Sequence, residues 1–219
     1  MPPTVLAIGG TAFPFHDFER AGPLIATALA RDADVTLTTE KEDLTDLSEY
    51  DVVLDYLTDS TLSDEQLDSL LAFVENGGGY VGLHCASDLT SVEPDDPEEV
   101  LAGRDEPFPA LRELIGGHFI THPEESEYEV EITVPGHEIT EGVSDFTVFD
   151  EPYQVAWDDD VRVLAEMNHP DLETYPVAWT KAYGTGRVFY LSIGHTDETF
   201  ATPEFQTLLA NGVRWAAGE

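Results

Sequence analysis

Residues 77–86 read GGGYVGLHCA, and this stretch carries the strongest indication of fold in the chain. The glycines predict the end of a helix, and the apolar run Tyr80–Leu83 predicts a short buried strand. Gly82 and Ala86 are small enough for a sharp strand-to-helix elbow, with His84 where related elbows carry Cys or Ser. A polar side chain at this place lies where open α/β sheets bind ligands. The alternative is a glycine-rich turn with an incidental histidine.

Strand and helix patterns alternate through the first half of the chain, which predicts an α/β fold with a mostly parallel, doubly wound sheet. The second half is richer in strand patterns, and residues 90–106, rich in proline and acid, are expected to form a surface excursion. We expect one domain over residues 1–219. The predicted strands are Thr4–Ile8, Asp34–Thr38, Asp51–Asp55, Tyr80–Leu83, Tyr128–Val134, Phe146–Phe149, Val161–Met167, Pro176–Tyr183 and Arg187–Ser192. The predicted helices are Phe18–Ala30, a helix from the capping box at Ser63 to Asn76, residues 107–115 and Pro203–Ala217.

The chain is strongly acidic, with 45 Asp and Glu against 9 Lys and Arg and a formal net charge of −36. Its 42% hydrophobic content, including 11 Phe, is typical of a folded protein and excludes an acidic disordered one. We therefore expect an acidic surface of the halophilic kind, because concentrated salt screens such self-repulsion. Nine scattered cations argue against nucleic-acid or anionic-membrane partners.

The cysteine count and the apolar runs restrict the environment of the protein. One cysteine, Cys85, excludes an intrachain disulfide and a thiolate metal cluster. The N-terminus lacks the basic region and long apolar core of a signal peptide, and the longest apolar runs are of strand length. We expect a cytoplasmic protein that does not enter the membrane.

Histidines follow three of the predicted strands. His16 follows the first strand, His84 the fourth and His195 the strand at 187–192, so a parallel sheet would bring their rings to one edge. His118 and His122 form an i, i+4 pair, which we expect to share one side of the chain. Two acidic residues after a predicted strand, Asp150 and Glu151, are the carboxylates most expected to join this site.

Several further segments, in order along nearly the whole chain, resemble the trehalose-utilisation (ThuA-like) family. The matching segments are 15–17, 77–84, 116–119 with 122–123, 137–140, 150–153, 176–179, 183–190, 194–195 and 215–216. The resemblance implies a fold of the class I glutamine-amidotransferase or flavodoxin type, a three-layer sandwich with β-rich embellishments in the second half. It also implies a place in carbohydrate metabolism, without a defined reaction.

Three functions are compatible with these residues. The first is an enzyme that acts on a sugar or keto-sugar by isomerisation or glycosidic cleavage, with a carbohydrate substrate and a sugar dehydrogenase as partner. The second is a non-catalytic module that binds a sugar or a dehydrogenase. The third is a cysteine-dependent amidotransferase or hydrolase relative, which His84 at the elbow argues against. We expect no nucleotide cofactor, and a homo-oligomer is open.

The site residues of the enzyme hypothesis fall into three sets. Neutral imidazoles can act as acid and base or bind a divalent metal, here Zn or Mn, so a metal centre and a bare histidine site both remain open. The expected catalytic residues are His84, His195, Asp150 and Glu151. The expected substrate-binding residues are His16, Tyr153 and Trp179, and the expected metal ligands are His16, His118 and His122.

Overall fold

The computed structural model describes residues 1–11, 13–90 and 108–219. In chain order its strands and helices are β1 (Thr4–Gly9), α1 (Phe18–Leu29), β2 (Asp34–Thr38), β3 (Val52–Tyr56), α2 (Asp64–Glu75), β4 (Gly79–Leu83), α3 (Pro109–Ile115), β5 (Gly117–Thr121), β6 (Ser126–Ile132), β7 (Phe146–Asp150), β8 (Gln154–Trp157), β9 (Arg162–Asn168), β10 (Pro176–Tyr183), β11 (Gly186–Leu191), α4 (Asp197–Ala201) and α5 (Pro203–Ala216).

A nine-stranded sheet forms the centre, in the order β2-β1-β3-β4-β11-β10-β9-β6-β7. The five strands from β2 to β11 run parallel, and β10, β9, β6 and β7 continue the sheet with antiparallel pairing. A separate antiparallel pair joins β5 and β8. The α/β fold with a parallel centre and a β-rich second half is confirmed, and it is consistent with a flavodoxin-like architecture.

Alternate residues of the parallel strands pack against helices on opposite faces of the sheet. Val5 and Ala7 of β1 belong to the apolar core that contains Ile25 of α1 and Leu209 of α5. The intervening residues, such as Leu6, belong to a second core with side chains of α2 and α3. Because both faces are covered, the central strands read as continuous apolar runs in the sequence. This is the three-layer arrangement that was expected.

Most of the predicted elements are confirmed to within a few residues at their ends. The strands β5 and β8 and the helix α4 were not predicted. The helix expected after the elbow is wrong for the described residues, which form only a single 3-10 turn, His84–Ser87, before residue 90. The expected excursion at 90–106 lies, apart from Thr90, outside the described residues. Within the described ranges, no helix combines the length and the apolar character needed to cross a membrane.

Candidate functional site

Three histidines meet at the carboxyl ends of β1, β4 and β11. His16 ends a 3-10 turn that follows β1, His84 directly follows β4, and His195 lies in the loop after β11. The centre of the His16 ring is 4.9 Å from that of His84 and 5.3 Å from that of His195, and the last two are 5.3 Å apart. The predicted convergence of these three rings is confirmed, because β1, β4 and β11 are parallel strands of one sheet.

Unusual backbone angles direct two of these rings into the cluster. His84 has φ +48°, a left-handed conformation that costs a non-glycine residue free energy and that occurs where a site requires it. Gly194 has φ +136°, which a residue with a side chain adopts only with strain. The Tyr56 hydroxyl donates to the Gly194 carbonyl at 3.0 Å and holds this loop. The backbone therefore sets where the His84 and His195 rings point.

Hydrogen bonds outside the cluster orient two of the rings. His84 Nδ1 lies 2.8 Å from the Ser192 carbonyl, which only accepts, so this nitrogen carries the proton. His16 Nδ1 is 2.7 Å from the Thr58 hydroxyl. The Nε2 atoms of both rings face each other across 3.1 Å. Such outer partners are typical of metal-binding histidines, whose second nitrogen is held by a carbonyl or hydroxyl group.

Glu151 places one carboxylate oxygen against all three rings. Its Oε2 atom is 3.3 Å from His84 Nε2, 3.4 Å from His195 Nδ1 and 4.0 Å from His16 Nε2. His195 Nδ1 is also 3.3 Å from His84 Nε2. Although Oε2 is buried, it has no hydrogen-bond partner of good geometry among the described residues. A buried carboxylate oxygen without a partner is costly unless a cation or a proton faces it.

The spacing of these four atoms fits a metal ion. All of them lie within 4.8 Å of one another. Metal–ligand bonds of about 2.1 Å place neighbouring ligand atoms about 3.0 Å apart in octahedral and about 3.4 Å apart in tetrahedral geometry. Three imidazole nitrogens and one carboxylate oxygen suit Zn²⁺ and similar divalent ions. His16, His84, His195 and Glu151 could therefore hold a metal, and no thiolate is needed.

Asp150 supports the cluster without facing it. Its carboxylate accepts the backbone N–H of Glu151 at 2.8 Å, of Gly194 at 3.1 Å and of His195 at 3.2 Å. The side chain is completely buried, and burial raises the pKa of its carboxyl group. Asp150 thus joins the end of β7 to the loop after β11. We interpret it as a positioning residue, which differs from the catalytic role expected from the sequence.

The pKa values of His84 and His195 are shifted in opposite directions. Burial and the neighbouring His84 lower the pKa of His195 to about 4. Burial also acts to lower the pKa of His84, but the Glu151 carboxylate, with Asp150, raises it above the usual value of histidine. A helix N-terminus would keep the His84 ring neutral, but only a 3-10 turn follows it before residue 91, and the acidic groups around the ring act in the opposite direction on its pKa.

A second layer of side chains covers the cluster. The Tyr153 ring packs on His84 with its centre 4.3 Å away, and Tyr153 is buried, so it offers little surface for stacking a sugar. His122 Nε2 is 3.7 Å from the other oxygen of Glu151, and its ring stacks on Tyr153. Glu125 Oε1 lies 3.3 Å from His195 Nε2. His122 and Glu125 are the more exposed of these side chains, at 26% and 42%.

The predicted pairing of His118 with His122 is wrong. His118 Nδ1 accepts a hydrogen bond from Arg112 Nε at 2.8 Å, and Arg112 is itself paired with Asp158. A register shift in β5 between Phe119 and Thr121 breaks the alternation that would have put both histidines on one side. Among the described residues, the group that could hold a metal includes neither histidine of this pair.

Trp179 is not accessible to a substrate among the described residues. It is fully buried, its Nε1 donates to the Ile115 carbonyl at 2.8 Å, and its ring packs on Tyr190. The sequence reasoning missed Thr58 and Ser192, which orient His16 and His84. Thr58 is the second residue after β3 and Ser192 directly follows β11, and these positions at strand ends were the available signal.

The comparisons with known proteins agree with this fold. The ThuA family, described as trehalose utilisation, matches residues 4–216. No curated protein sequence matches the chain. A ThuA-like protein from Parabacteroides merdae ATCC 43184 superposes with a TM-score of 0.79 and 18% identity, covering 99% of this chain and 90% of that chain. A ThuA-like protein from Bacteroides uniformis ATCC 8492 gives a TM-score of 0.74 and 22% identity, covering 98% of this chain and 92% of that chain.

The fold also recurs within a larger enzyme. A β-galactosidase from Bacillus circulans sp. alkalophilus matches with a TM-score of 0.66 and 15% identity, covering 96% of this chain and 30% of that chain. At such identities the structural likenesses concern the fold alone.

Proposed function

The chain belongs to the ThuA, or trehalose utilisation, family, and we propose that it is an enzyme that acts on a keto-sugar at a divalent-metal centre. The observation that carries the proposal is the convergence of three imidazole nitrogens on the unpartnered Oε2 of Glu151. The family description supports the carbohydrate, and the geometry of the cluster supports the metal. We propose Zn²⁺ first and Mn²⁺ second, since imidazole predominates among the donors.

In this proposal the four cluster residues His16, His84, His195 and Glu151 bind the metal. A bound divalent ion would supply Lewis acidity, which polarises a carbonyl oxygen and stabilises the negative charge that develops there. Ser192 and Thr58 fix the orientation of two of the ligand rings. The site would thus consist of four metal ligands and two buried polar groups that orient them.

His122 is the residue we propose as the proton acceptor. Its Nδ1 lies 2.7 Å from the Pro123 carbonyl and therefore carries the proton, which leaves Nε2 as the basic atom. That atom lies beside Glu151 at the more exposed edge of the cluster. It can take the proton from the carbon next to a sugar carbonyl. The second oxygen of Glu151 then stabilises the imidazolium that forms.

The bonds of the reaction balance without a redox step. The proton leaves the carbon adjacent to the carbonyl, and its electron pair moves toward the carbonyl oxygen. Return of the proton to a neighbouring position gives isomerisation. Departure of the glycosidic oxygen from the next carbon, with protonation of that oxygen, instead gives an unsaturated keto-sugar and a free alcohol. A keto-sugar of this kind is produced by a sugar dehydrogenase, the partner we propose.

Exchange of the acidic proton with deuterated water tests this proposal most directly. Metal-free protein, protein reloaded with Zn²⁺ or Mn²⁺, and a His84→Ala variant are incubated with keto-derivatives of glucosides and followed by NMR. We expect exchange or cleavage only in the metal-loaded wild type and in the His169→Ala control. His169 is hydrogen-bonded to Ser126 and is not one of the four cluster residues.

Two other outcomes would replace the proposal. Activity that survives metal removal but not His84→Ala would indicate a bare histidine acid–base site. Binding of sugars without exchange or cleavage under any metal condition would indicate a non-catalytic sugar-binding module.

A further inference from the structure

A cavity adjoins the histidine cluster along the carboxyl edge of the sheet. It has a volume of about 320 Å³ and lies where β2, β1 and β3 end. The residues of its wall that matter here are Phe13, His16, Lys41, Leu57, Thr58 and Asp59. Its volume is at the lower end of the range of small-molecule pockets, roughly 300 to 1,000 Å³. His16 and Thr58 belong both to this wall and to the cluster or its support.

We propose that this cavity is a second sugar subsite, so that the substrate is a disaccharide or another glycoside with a ring-sized polar substituent. The inference rests on the proposed sugar chemistry at the cluster, which would take the reacting ring. The cavity, centred on β1, and His84, at the end of β4, are two strand spacings apart, since β3 lies between them. Two spacings are about 10 Å, a distance that one sugar ring does not span and two linked rings do.

The polar groups of the cavity suit neighbouring hydroxyl groups. Lys41 Nζ donates to Asp59 Oδ2 at 2.8 Å and to the Thr61 carbonyl at 2.9 Å. An ammonium group has three donors, so one remains for a ligand among the described residues. Asp59 Oδ1 accepts the Thr61 N–H at 3.0 Å, and a carboxylate oxygen can accept a second hydrogen bond. A donor and an acceptor side by side match the two hydroxyl groups of a vicinal diol.

The wall of the cavity is rigid. Phe13 and Leu57 line it as closely packed side chains that are only 2% and 3% exposed. The backbone near Asp59 is held in place, because Ser60 N–H donates to the Thr90 carbonyl at 3.0 Å and Thr90 N–H to that of Thr58 at 3.3 Å. A fixed wall limits the entropy lost on binding.

The charge of the cavity favours a neutral ligand. Lys41 is one of only two lysines in a chain of net charge −36, and it is the only permanently charged cation among the described residues that line this cavity. Its charge is offset by Asp59. A phosphate group would meet no net positive charge here. The ligand class is therefore a neutral polyol, and a sugar phosphate is disfavoured.

Calorimetric titration of the metal-loaded protein with glucose, trehalose and trehalose 6-phosphate tests the subsite. We expect trehalose to bind at least about tenfold more tightly than glucose, and its phosphate to bind less tightly than trehalose. Lys41→Met and Asp59→Asn should each weaken trehalose binding about 10- to 100-fold, as the loss of a charge-assisted hydrogen bond does, and leave glucose binding within about twofold. Unchanged glucose binding also reports that the variants are folded.

Lys181→Met is the matched control, because Lys181 is the other lysine and is likewise paired with an acid, Asp160 at 3.1 Å. It should leave the binding of both sugars unchanged. If the Lys41 and Asp59 variants weaken the binding of glucose and trehalose equally, or weaken the binding of neither sugar, the proposed subsite is wrong although the protein binds sugars. Tighter binding of the phosphate overturns the neutral-polyol assignment. If no sugar binds the wild type, both the subsite and the proposed function are overturned.

Discussion

Asp55 of β3 and Glu151 after β7 show two ways of burying a carboxyl group. Asp55 accepts the Leu57 N–H at 2.8 Å and the Tyr80 hydroxyl at 2.7 Å, and burial raises its pKa to about 6. Burial also acts to raise the pKa of Glu151, but the histidines around it lower the pKa below its usual value. One oxygen of Glu151 still lacks a hydrogen-bond partner of good geometry among the described residues.

The difference lies in what faces each carboxyl group. The N–H and O–H groups around Asp55 donate, so that site is complete as it stands. The ring nitrogens around Glu151 also face one another, and a proton placed between two of them cannot serve the third. The metal ion that we propose would satisfy all four atoms at once. A buried acid therefore indicates a functional site when the groups around it are also acceptors that lack a proton or a cation.

The largest effect should come from removing the negative ligand. In Glu151→Gln the three imidazoles remain, but the charge that balances the cation is lost. We expect the affinity for Zn²⁺ to fall about 1,000-fold, or about 4 kcal/mol, in competition with a chromophoric chelator. Glu125→Gln is the matched control, because Glu125 lies against the outer nitrogen of His195 and not against the four proposed ligand atoms, and we expect a loss of about tenfold there. Equal losses would mean that general negative charge, rather than ligation, holds the metal.

The opposite behaviour is expected for Asp55. Its folded pKa of about 6 lies above the unfolded value of about 3.9, so its contribution to stability is present below the unfolded pKa and is lost as the pH rises through 6. Between pH 4 and pH 7, the wild type should lose about 2 to 3 kcal/mol of unfolding free energy relative to Asp55→Asn. Denaturant unfolding at constant ionic strength measures this difference.

Asp46→Asn provides the control for that pH dependence. Hydrogen bonds from Ser48 lower the pKa of Asp46, which is fully exposed. Its contribution has the other sign, present above the unfolded pKa and lost as the pH falls. A wild type that gained stability over Asp55→Asn between pH 4 and pH 7 would mean that Asp55 is ionised in the folded protein and has a further cationic partner.

A smaller effect is expected where a carboxylate is already satisfied by backbone groups near the metal ligands. Asp150→Asn replaces one of two accepting oxygens by an amide that donates, opposite the N–H groups of Gly194 and His195. We expect the Zn²⁺ affinity to fall about 10- to 100-fold, with one ion still bound per chain. In the control Asp145→Asn, which alters the acceptor of the distant Ile132 N–H, it should not change. A loss as large as that in Glu151→Gln would make Asp150 a ligand.

The sequence was sufficient for the parallel half of the fold and for the histidines it carries. The apolar runs ending at Gly9 and Leu83 are buried on both faces, and each is followed by a histidine, so strand position alone brings His16 and His84 together. His195 follows from the same rule because β11 pairs with β4. Glu151 was selected for its place after an apolar strand, which also proved informative.

What the sequence could not provide depends on contacts between distant residues. The register shift in β5, which separates His118 from His122, arises from pairing with β8, a strand that local pattern did not reveal. Trp179 was predicted to stack on a sugar. Its burial could not be foreseen, because it depends on packing with Tyr190 and on a hydrogen bond to the Ile115 carbonyl. The distinction between Asp150 and Glu151 likewise required the position of the Gly194 backbone.

The smallest effect should come from Cys85, which is next to the cluster in sequence. Like Asp55, it is buried and has a hydrogen-bond partner outside the cluster. Its thiol donates to the Tyr56 carbonyl at 3.2 Å, the side chain is fully buried, and burial raises the pKa of the thiol well above its usual value. A neutral thiol with a partner is neither a nucleophile nor a ligand. In Cys85→Ser we expect proton exchange within about twofold of wild type, unchanged Zn²⁺ binding, and a loss of about 1 kcal/mol in unfolding free energy, since a hydroxyl is costlier to bury. Ala86→Ser, at the next buried position, controls for the added hydroxyl. Loss of exchange in Cys85→Ser with the metal retained would place a thiol in the reaction, and the contrast between satisfied and unsatisfied buried groups would no longer identify the site.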